Sequence, residues 1–142
     1  MTIAAILKAK GGEVISLPRS ASVGEAVALL AERRIGAIPV MDGAEVVGIF
    51  SERDVIHGLR ADGAAVLDRR IDAVMTNTVQ RITPGDPVIG ALSLMTRRRI
   101  RHLPVVDGGR MIGFVSIGDL VKYRIERIEA DAAAMRAYIQ SA

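Results

Sequence analysis

The chain is a duplication, which restricts it to folds that pair two equal halves. Residues 14–59 laid over residues 79–124 give 14 identities in 46 positions without a gap, where average composition would give roughly three. The offset is 65 residues throughout, joining Pro39 to Pro104, Gly48 to Gly113, Ser51 to Ser116 and Asp54 to Asp119. The densest stretch is Ile38-Pro39-Val40-Met41-Asp42-Gly43 over Leu103-Pro104-Val105-Val106-Asp107-Gly108. Two copies, rather than three or more, predict a closed pair and not an open solenoid.

Each copy reads as strand–helix–strand–strand–helix. Short apolar strands are predicted at Val14-Ile15-Ser16-Leu17 and Val79-Gln80-Arg81-Ile82. In the helix that follows, Ser22-x-x-Glu25 has the form of a capping box. Asp86 is the expected N-cap of the equivalent helix, with Pro87 at the tolerant first position. Val23, Ala26, Val27 and Leu30 share one helical face, as do Val88, Ala91, Leu92 and Met95. These helices end in Arg33-Arg34 and Arg97-Arg98-Arg99, where positive charge suits the carbonyl end. Asp42-Gly43 and Asp107-Gly108 between β-branched runs predict two hairpins. The hairpin strands are continuously apolar and are expected to be buried on both faces. A last helix opens in each copy within Ser51-Glu52-Arg53-Asp54 or Ser116-Ile117-Gly118-Asp119.

Outside the repeat, residues 1–12 predict a short helix stopped by Gly11-Gly12, and Ile71-Asp72-Ala73-Val74-Met75-Thr76 predicts a helical turn leading into the second copy. In the tail, Val121, Ile125, Ile128, Ala132, Met135 and Ile139 recur every three or four residues. That spacing predicts an amphipathic helix packed along the other copy or a partner chain. The fold class expected is mixed α/β (α+β): one compact tandem unit with halves at residues 1–67 and 68–142.

Composition narrows the chemistry. Cysteine is absent, which excludes disulfides and thiol catalysis and favours a cytoplasmic location. The first residues lack the pattern of a secretory signal. Two histidines, His57 and His102, make a His-based metal site unexpected. No apolar run reaches about 18 residues, so no membrane partner is expected. Sixteen Arg stand against three Lys. Arg forks match phosphate bidentately, which points to anionic ligands, although a GC-rich genome produces the same bias.

Ser51-x-x-Asp54 and Ser116-x-x-Asp119 each end an apolar strand and open a helix. A carboxylate there can accept two hydrogen bonds from a ribose cis-diol, and the Ser hydroxyl can approach a sugar or phosphate oxygen. The free N–H groups of the helix start suit an anion. The same tetrapeptide also serves as a helix cap that needs no ligand.

The order of elements, the h-Pro-Val-x-Asp-Gly strand, the Gly in the next strand and the Ser-x-x-Asp after it resemble the CBS domain, the regulatory module of cystathionine β-synthase. Two copies in register resemble a tandem CBS pair, or Bateman module, of the stand-alone bacterial kind. The resemblance covers residues 1–130. It implies a pseudo-twofold body with a cleft on either side and an adenosine ligand: AMP, ADP, ATP, NAD(H) or S-adenosylmethionine, with no cofactor required for catalysis. It makes Ser51, Asp54, Ser116 and Asp119 the ribose and phosphate residues, and the backbone around Ile38-Pro39 and Leu103-Pro104 the adenine wall. The two residues before each h-Pro dipeptide often supply positive charge in the family; here they are Gly36-Ala37 and Arg101-His102. Arg53 has Gly118 as its counterpart, so one cleft is expected to draw its cation from Arg53 and the other from Arg101 and His102. The family also implies a homodimer through helices and an effector protein that the sequence does not name.

The function expected is a non-enzymatic nucleotide sensor. No His stands near either Ser in sequence, and no paired-carboxylate or metal motif is visible. The alternative is a nucleic-acid-binding or protein-interaction module using the Arg-rich helix end, Arg97-Arg98-Arg99-Ile100-Arg101. Aromatic residues amount to two Phe and two Tyr, too few for stacking on single strands.

Overall fold

The computed structural model describes residues 1–141. In chain order its elements are α1 (Ile3–Lys10), β1 (Leu17–Pro18), α2 (Val23–Arg33), β2 (Ala37–Asp42), β3 (Glu45–Ser51), α3 (Glu52–Asp62), α4 (Val88–Arg98), β4 (His102–Asp107), β5 (Arg110–Ser116) and α5 (Ile117–Ser141). Two 3-10 turns, Gly63–Asp68 and Ile71–Ala73, connect the halves. This is the mixed α/β class read from the sequence. β2 and β3 pair antiparallel, with β1 parallel on β2; β4 and β5 pair antiparallel as a second sheet. The hairpins turn at Gly43 and Gly108, whose φ values of 62° and 59° lie where a side chain is disfavoured.

The local chemistry largely follows the sequence. Ser22 Oγ accepts the Glu25 amide at 3.1 Å and caps α2. Both α2 and α4 end in a left-handed residue, Arg34 and Arg99, each at φ 53°. The amides of Ile35 and Ile100 then reach back to the carbonyls of Leu30 and Met95, closing each helix in the Schellman manner. That turn re-aims the chain toward the cleft described below.

There are two cores, one against each hairpin. The first gathers Val23, Ala26, Leu30, Ile38, Val40 and Phe50 with Val66 and Ile71 of the connector. The second gathers Val88, Ala91, Met95, Leu103, Val105, Val115 and Leu120 with Ile3 and Ile6 of α1. Each lead-in segment therefore packs on a particular hairpin: α1, which chain order groups with the first repeat, lies on the second repeat's core. The backbone shows the same relation. The Ile3 amide bonds the Asp86 carbonyl as the Ile71 amide bonds the Ala21 carbonyl, and the Val88 amide bonds Met1 as the Val23 amide bonds Arg69. The lead-ins thus match at an offset of 68, three residues more than the repeat they introduce. Gly48 and Gly113 make room for them: a Cβ at Gly48 would meet Met75, and one at Gly113 would meet Leu7.

Several expectations need correction. The first strand of copy one is only Leu17–Pro18, and residues 79–82 form no strand, only an isolated bridge from Ile82 to Val105. Apolar character did not provide a pairing partner: Val14 and Ile15 line a cleft instead. The N-cap of α4 is Pro87, because the Asp86 carboxylate is taken by the Thr83 amide at 2.8 Å. β3 alternates between buried and partly exposed residues rather than being buried on both faces. The tail does not pack along the other copy: beyond Tyr123 every described residue of α5 is exposed.

Candidate nucleotide-binding clefts

Two clefts flank the place where the sheets meet. The larger, about 590 Å³, takes Gly36, Ser51, Arg53 and Asp54 from the first repeat, and Arg99, Arg101 and His102 from the second, with Thr76, Thr78 and Gln80 of the connector. The smaller, about 270 Å³, takes Ile35 and Ala37 from the first repeat and His102, Phe114, Ser116 and Asp119 from the second, with Lys10, Glu13, Val14 and Ile15 from the lead-in. Part of their walls corresponds across the pseudo-twofold: Ile49, Ser51, Asp54 and Ile100 of the larger stand where Phe114, Ser116, Asp119 and Ile35 stand in the smaller.

Arg53 and Arg101 therefore share the larger cleft, which overturns the expectation that they serve opposite sites. The reason is geometric: each cleft combines the Ser-x-x-Asp of one repeat with the residues ahead of the h-Pro strand of the other. Ala37 follows this rule into the smaller cleft, whereas Gly36 lines the larger one beside its own repeat's Ser51 and Asp54. The side chains of Ile38 and Leu103 are fully buried in the cores, Pro39 and Pro104 are buried in their strands, and none of the four lines a cleft.

Both Ser-x-x-Asp motifs are caps as well as cleft walls. In the larger cleft Asp54 Oδ2 accepts the Ser51 amide at 2.9 Å and the Ser51 hydroxyl at 3.3 Å. Its Oδ1 accepts the Thr76 hydroxyl at 3.3 Å. In the smaller cleft Asp119 Oδ2 accepts the Ser116 amide at 2.8 Å, and Ser116 Oγ accepts the Asp119 amide at 3.1 Å. Lys10 Nζ then binds that same Oδ2 at 2.8 Å and the Phe114 carbonyl at 2.7 Å. Burial works against the charge on Asp119, but Lys10 and the Ser116 amide outweigh it and hold the carboxyl below its ordinary value.

His102 stands in the wall between the clefts. Its ring stacks on Phe114 with centroids 5.6 Å apart and planes 13° apart. Burial, helped by Lys10, holds the imidazole below its ordinary value against the opposing pull of Asp119 and Glu52. The neutral ring is thereby favoured over the charged one. Packing on Phe114 and burial set it apart from Arg101, its neighbour in the larger cleft. Of the Arg-rich helix end, Arg99 and Arg101 face the larger cleft and Arg97 and Arg98 do not.

The charges differ between the clefts. The larger holds three guanidiniums, Arg53, Arg99 and Arg101, against Glu52 and Asp54. The smaller holds one ammonium, Lys10, against Glu13 and Asp119. Sequence reasoning missed Lys10 and Thr76 as cleft residues. Neither register signals them: at the 68-residue offset of the lead-ins Lys10 stands over Thr78, and Thr76 over Lys8. Among the described residues no cluster of metal-ligating side chains occurs, and no helix is long and apolar enough to cross a membrane.

Comparison with known proteins gives a consistent picture. The CBS domain profile matches residues 11–61 and again 71–126. A mitochondrial CBS domain-containing protein of Arabidopsis thaliana, CBSX3, is 32% identical over 98% of this chain and 72% of its own length. The crystal structure of a CBS-domain protein from Agrobacterium tumefaciens is 37% identical and superposes with a TM-score of 0.83, covering 87% of this chain and 99% of that one. A CBS domain pair crystallised in complex with 5′-methylthioadenosine and S-adenosyl-L-methionine is 25% identical, with a TM-score of 0.76 over 87% of this chain and 98% of that one.

Proposed function

The chain belongs to the CBS-domain family and carries the domain twice, and from that premise we propose that it is a regulatory module, not an enzyme, that binds adenosine nucleotides such as AMP, ATP or NAD(H) in the clefts between its repeats. The observation that carries this reading is the larger cleft. There a carboxylate suited to a ribose diol, Asp54, stands opposite guanidiniums suited to phosphate, Arg99 and Arg101, contributed by the other repeat. A ligand bridging them would touch both repeats and so bias their relative arrangement, by no more than its difference in affinity for the two states. The related pair that holds methylthioadenosine and S-adenosyl-L-methionine supports the adenosine part of the ligand.

In this reading residues 1–67 and 68–142 act as one cytoplasmic tandem unit, assembled as a homodimer through helices and coupled to an effector protein. Ser51, Arg53, Asp54 and Arg101 hold the sugar and phosphates of the larger site, with Ser116 and Asp119 in the smaller. Backbone at Gly36, Ala37 and His102, the cleft-lining residues ahead of the h-Pro strands, offers polar groups to a base edge. Calorimetry of ligand-stripped protein with AMP, ATP, NAD(H) and S-adenosylmethionine tests the proposal. Saturable binding of at least one supports it; heat of dilution alone for all four would remove it.

A further inference from the structure

The outer part of α5 carries an uncovered apolar stripe. Ile125, Ile128, Met135 and Ile139 are each at least half exposed, at 51%, 53%, 60% and 65%. The stripe is not a continuation of the face that packs on the body. Leu120, the buried residue of α5, and Val121, where the stripe begins, are roughly 100° apart around the helix axis. The stripe's spacing alternates four and three from Val121 to Ile139, the 3.5-residue repeat of a two-stranded seam and not the broader face of a helix lying on a globular body. Ile125, Ala132 and Ile139 occupy one seam position, and Val121, Ile128 and Met135 the other.

The charges beside the seam select the partner and its direction. Arg124 and Asp131 flank one side; Lys122, Glu129 and Arg136 flank the other. In a parallel, in-register pair each flanking residue faces the one five positions on in the opposite helix. Arg124 then meets Glu129 of the partner subunit, Asp131 meets Arg136 of the partner subunit, and symmetry doubles both pairs. An antiparallel pair would form the same number of apolar layers, with Ile125 against Met135 and Ile128 against Ala132. It would also bring Glu129 to Glu129, Asp131 to Asp131 and Lys122 to Arg136, all repulsive. Within its own helix Asp131 makes only a loose 3.9 Å contact with Arg127 and keeps 72% exposure, so it remains open to an interchain partner.

We infer that residues 121–139 form a parallel, in-register coiled coil with the same residues of a second copy of this chain. The inference rests on the homodimer reading above and gives it a face and a direction. A free stripe this short would be marginal, but α5 starts inside the folded body, where Ser116 and Asp119 cap it, so the nucleation cost is already met.

The chain's lack of cysteine makes the test direct. The full chain is studied by sedimentation, and as Ile139→Cys and Val121→Cys variants under mild oxidation. The expected results are a dimer, rapid Ile139→Cys self-crosslinking, and dimerisation weakened roughly tenfold or more by Ile125→Asp with Ile128→Asp, since each carboxylate would be buried unpaired. Glu129→Arg should weaken the dimer, and adding Arg124→Glu should restore it. These side chains are exposed, and unchanged thermal melting of the body would show that the variants fold. A monomer at tens of micromolar would remove both the coiled coil and the homodimer reading. A dimer indifferent to Ile125→Asp with Ile128→Asp, or one that crosslinks Val121→Cys to Ile139→Cys in mixtures but not Ile139→Cys to itself, would remove the parallel seam and leave the homodimer standing.

Discussion

The two clefts share a frame and differ in what fills one corner of it. In the larger, the Thr76 amide bonds the Ile49 carbonyl at 3.0 Å and the Thr76 hydroxyl reaches Asp54. In the smaller, the ammonium of Lys10 does both jobs, bonding the Phe114 carbonyl and Asp119. Ile49 and Phe114 are equivalent positions, as are Asp54 and Asp119. The three extra residues in the first lead-in bring a charged side chain where the second lead-in brings backbone and a hydroxyl. So Asp119 is matched by a full positive charge inside the fold, while Asp54 has two hydroxyls and an amide. The duplication kept the motif carboxylate in both halves and changed its availability. Charge elsewhere points the same way, with cations in excess in the larger cleft and carboxylates in excess in the smaller.

The largest effect should come from the carboxylates themselves. Asp54→Ala is expected to weaken nucleotide binding in the larger cleft about 10- to 150-fold, the 1.5–3 kcal/mol of hydrogen bonds to a charged group. Asp119→Ala should leave that site within about twofold, because no residue is shared between the two motifs. Calorimetry on the two variants separates them; equal losses would mean that the clefts act as one site.

Packing beneath the clefts offers a second contrast. Gly113→Ala drives a Cβ into branched Leu7 and should cost about 1–3 kcal/mol. Gly48→Ala meets the thioether of Met75, which can swing aside, and should cost less. Denaturant titration of both variants checks the order; a larger loss at Gly48 would reverse it.

Phosphate dependence gives a smaller effect. Adding phosphates along the series adenosine, AMP and ATP should raise affinity for the larger cleft, and Arg101→Ala should remove roughly 1 kcal/mol of that gain, since the cleft is open to water and salt. The smaller cleft should show no such gain. A flat series at the larger cleft, read by competition binding, would contradict the assignment of its arginines to phosphate.

The smallest effect is on stability against pH. Asp119 titrates lower in the folded chain than unfolded, so its contribution is present above about pH 3.9 and is lost as pH falls through the lower folded value. His102 is also lowered, so the unfolded chain takes its proton first and stability falls as pH drops below about 6.5. Lys10→Met should weaken the acid limb by about 1 kcal/mol or less, and His102→Phe should flatten the upper limb. Melting temperatures from pH 3 to 8 give both readings; an unaltered acid limb in Lys10→Met would mean that the ion pair contributes nothing.

Much of the fold was legible because it rests on local chemistry. Asp42-Gly43 and Asp107-Gly108 specify hairpins with little help from tertiary contacts, and Ser22-x-x-Glu25 located the start of α2. Less legible were segments whose state depends on a distant partner. Val14 and Ile15 have strand character but line a cleft, and residues 79–82 find one bridging contact only. Asp86 was drawn from capping by the nearby Thr83 amide. For the candidate site, the repeat identified both Ser-x-x-Asp motifs but not which residues face them. Arg53 and Arg101 lie on different copies, and only the crossing of the repeats puts them in one cleft. The family resemblance made His102 a candidate cation through its place before the h-Pro strand, whereas its stacking on Phe114 is set by a strand twelve residues on.

The inequality of the clefts is most directly tested by equilibrium dialysis of ligand-stripped protein with labelled AMP over a wide concentration range. Two classes of site are expected, the tighter one lost in Asp54→Ala and retained in Asp119→Ala. Two equal sites, or a tighter site that disappears with Asp119 and survives without Asp54, would contradict it.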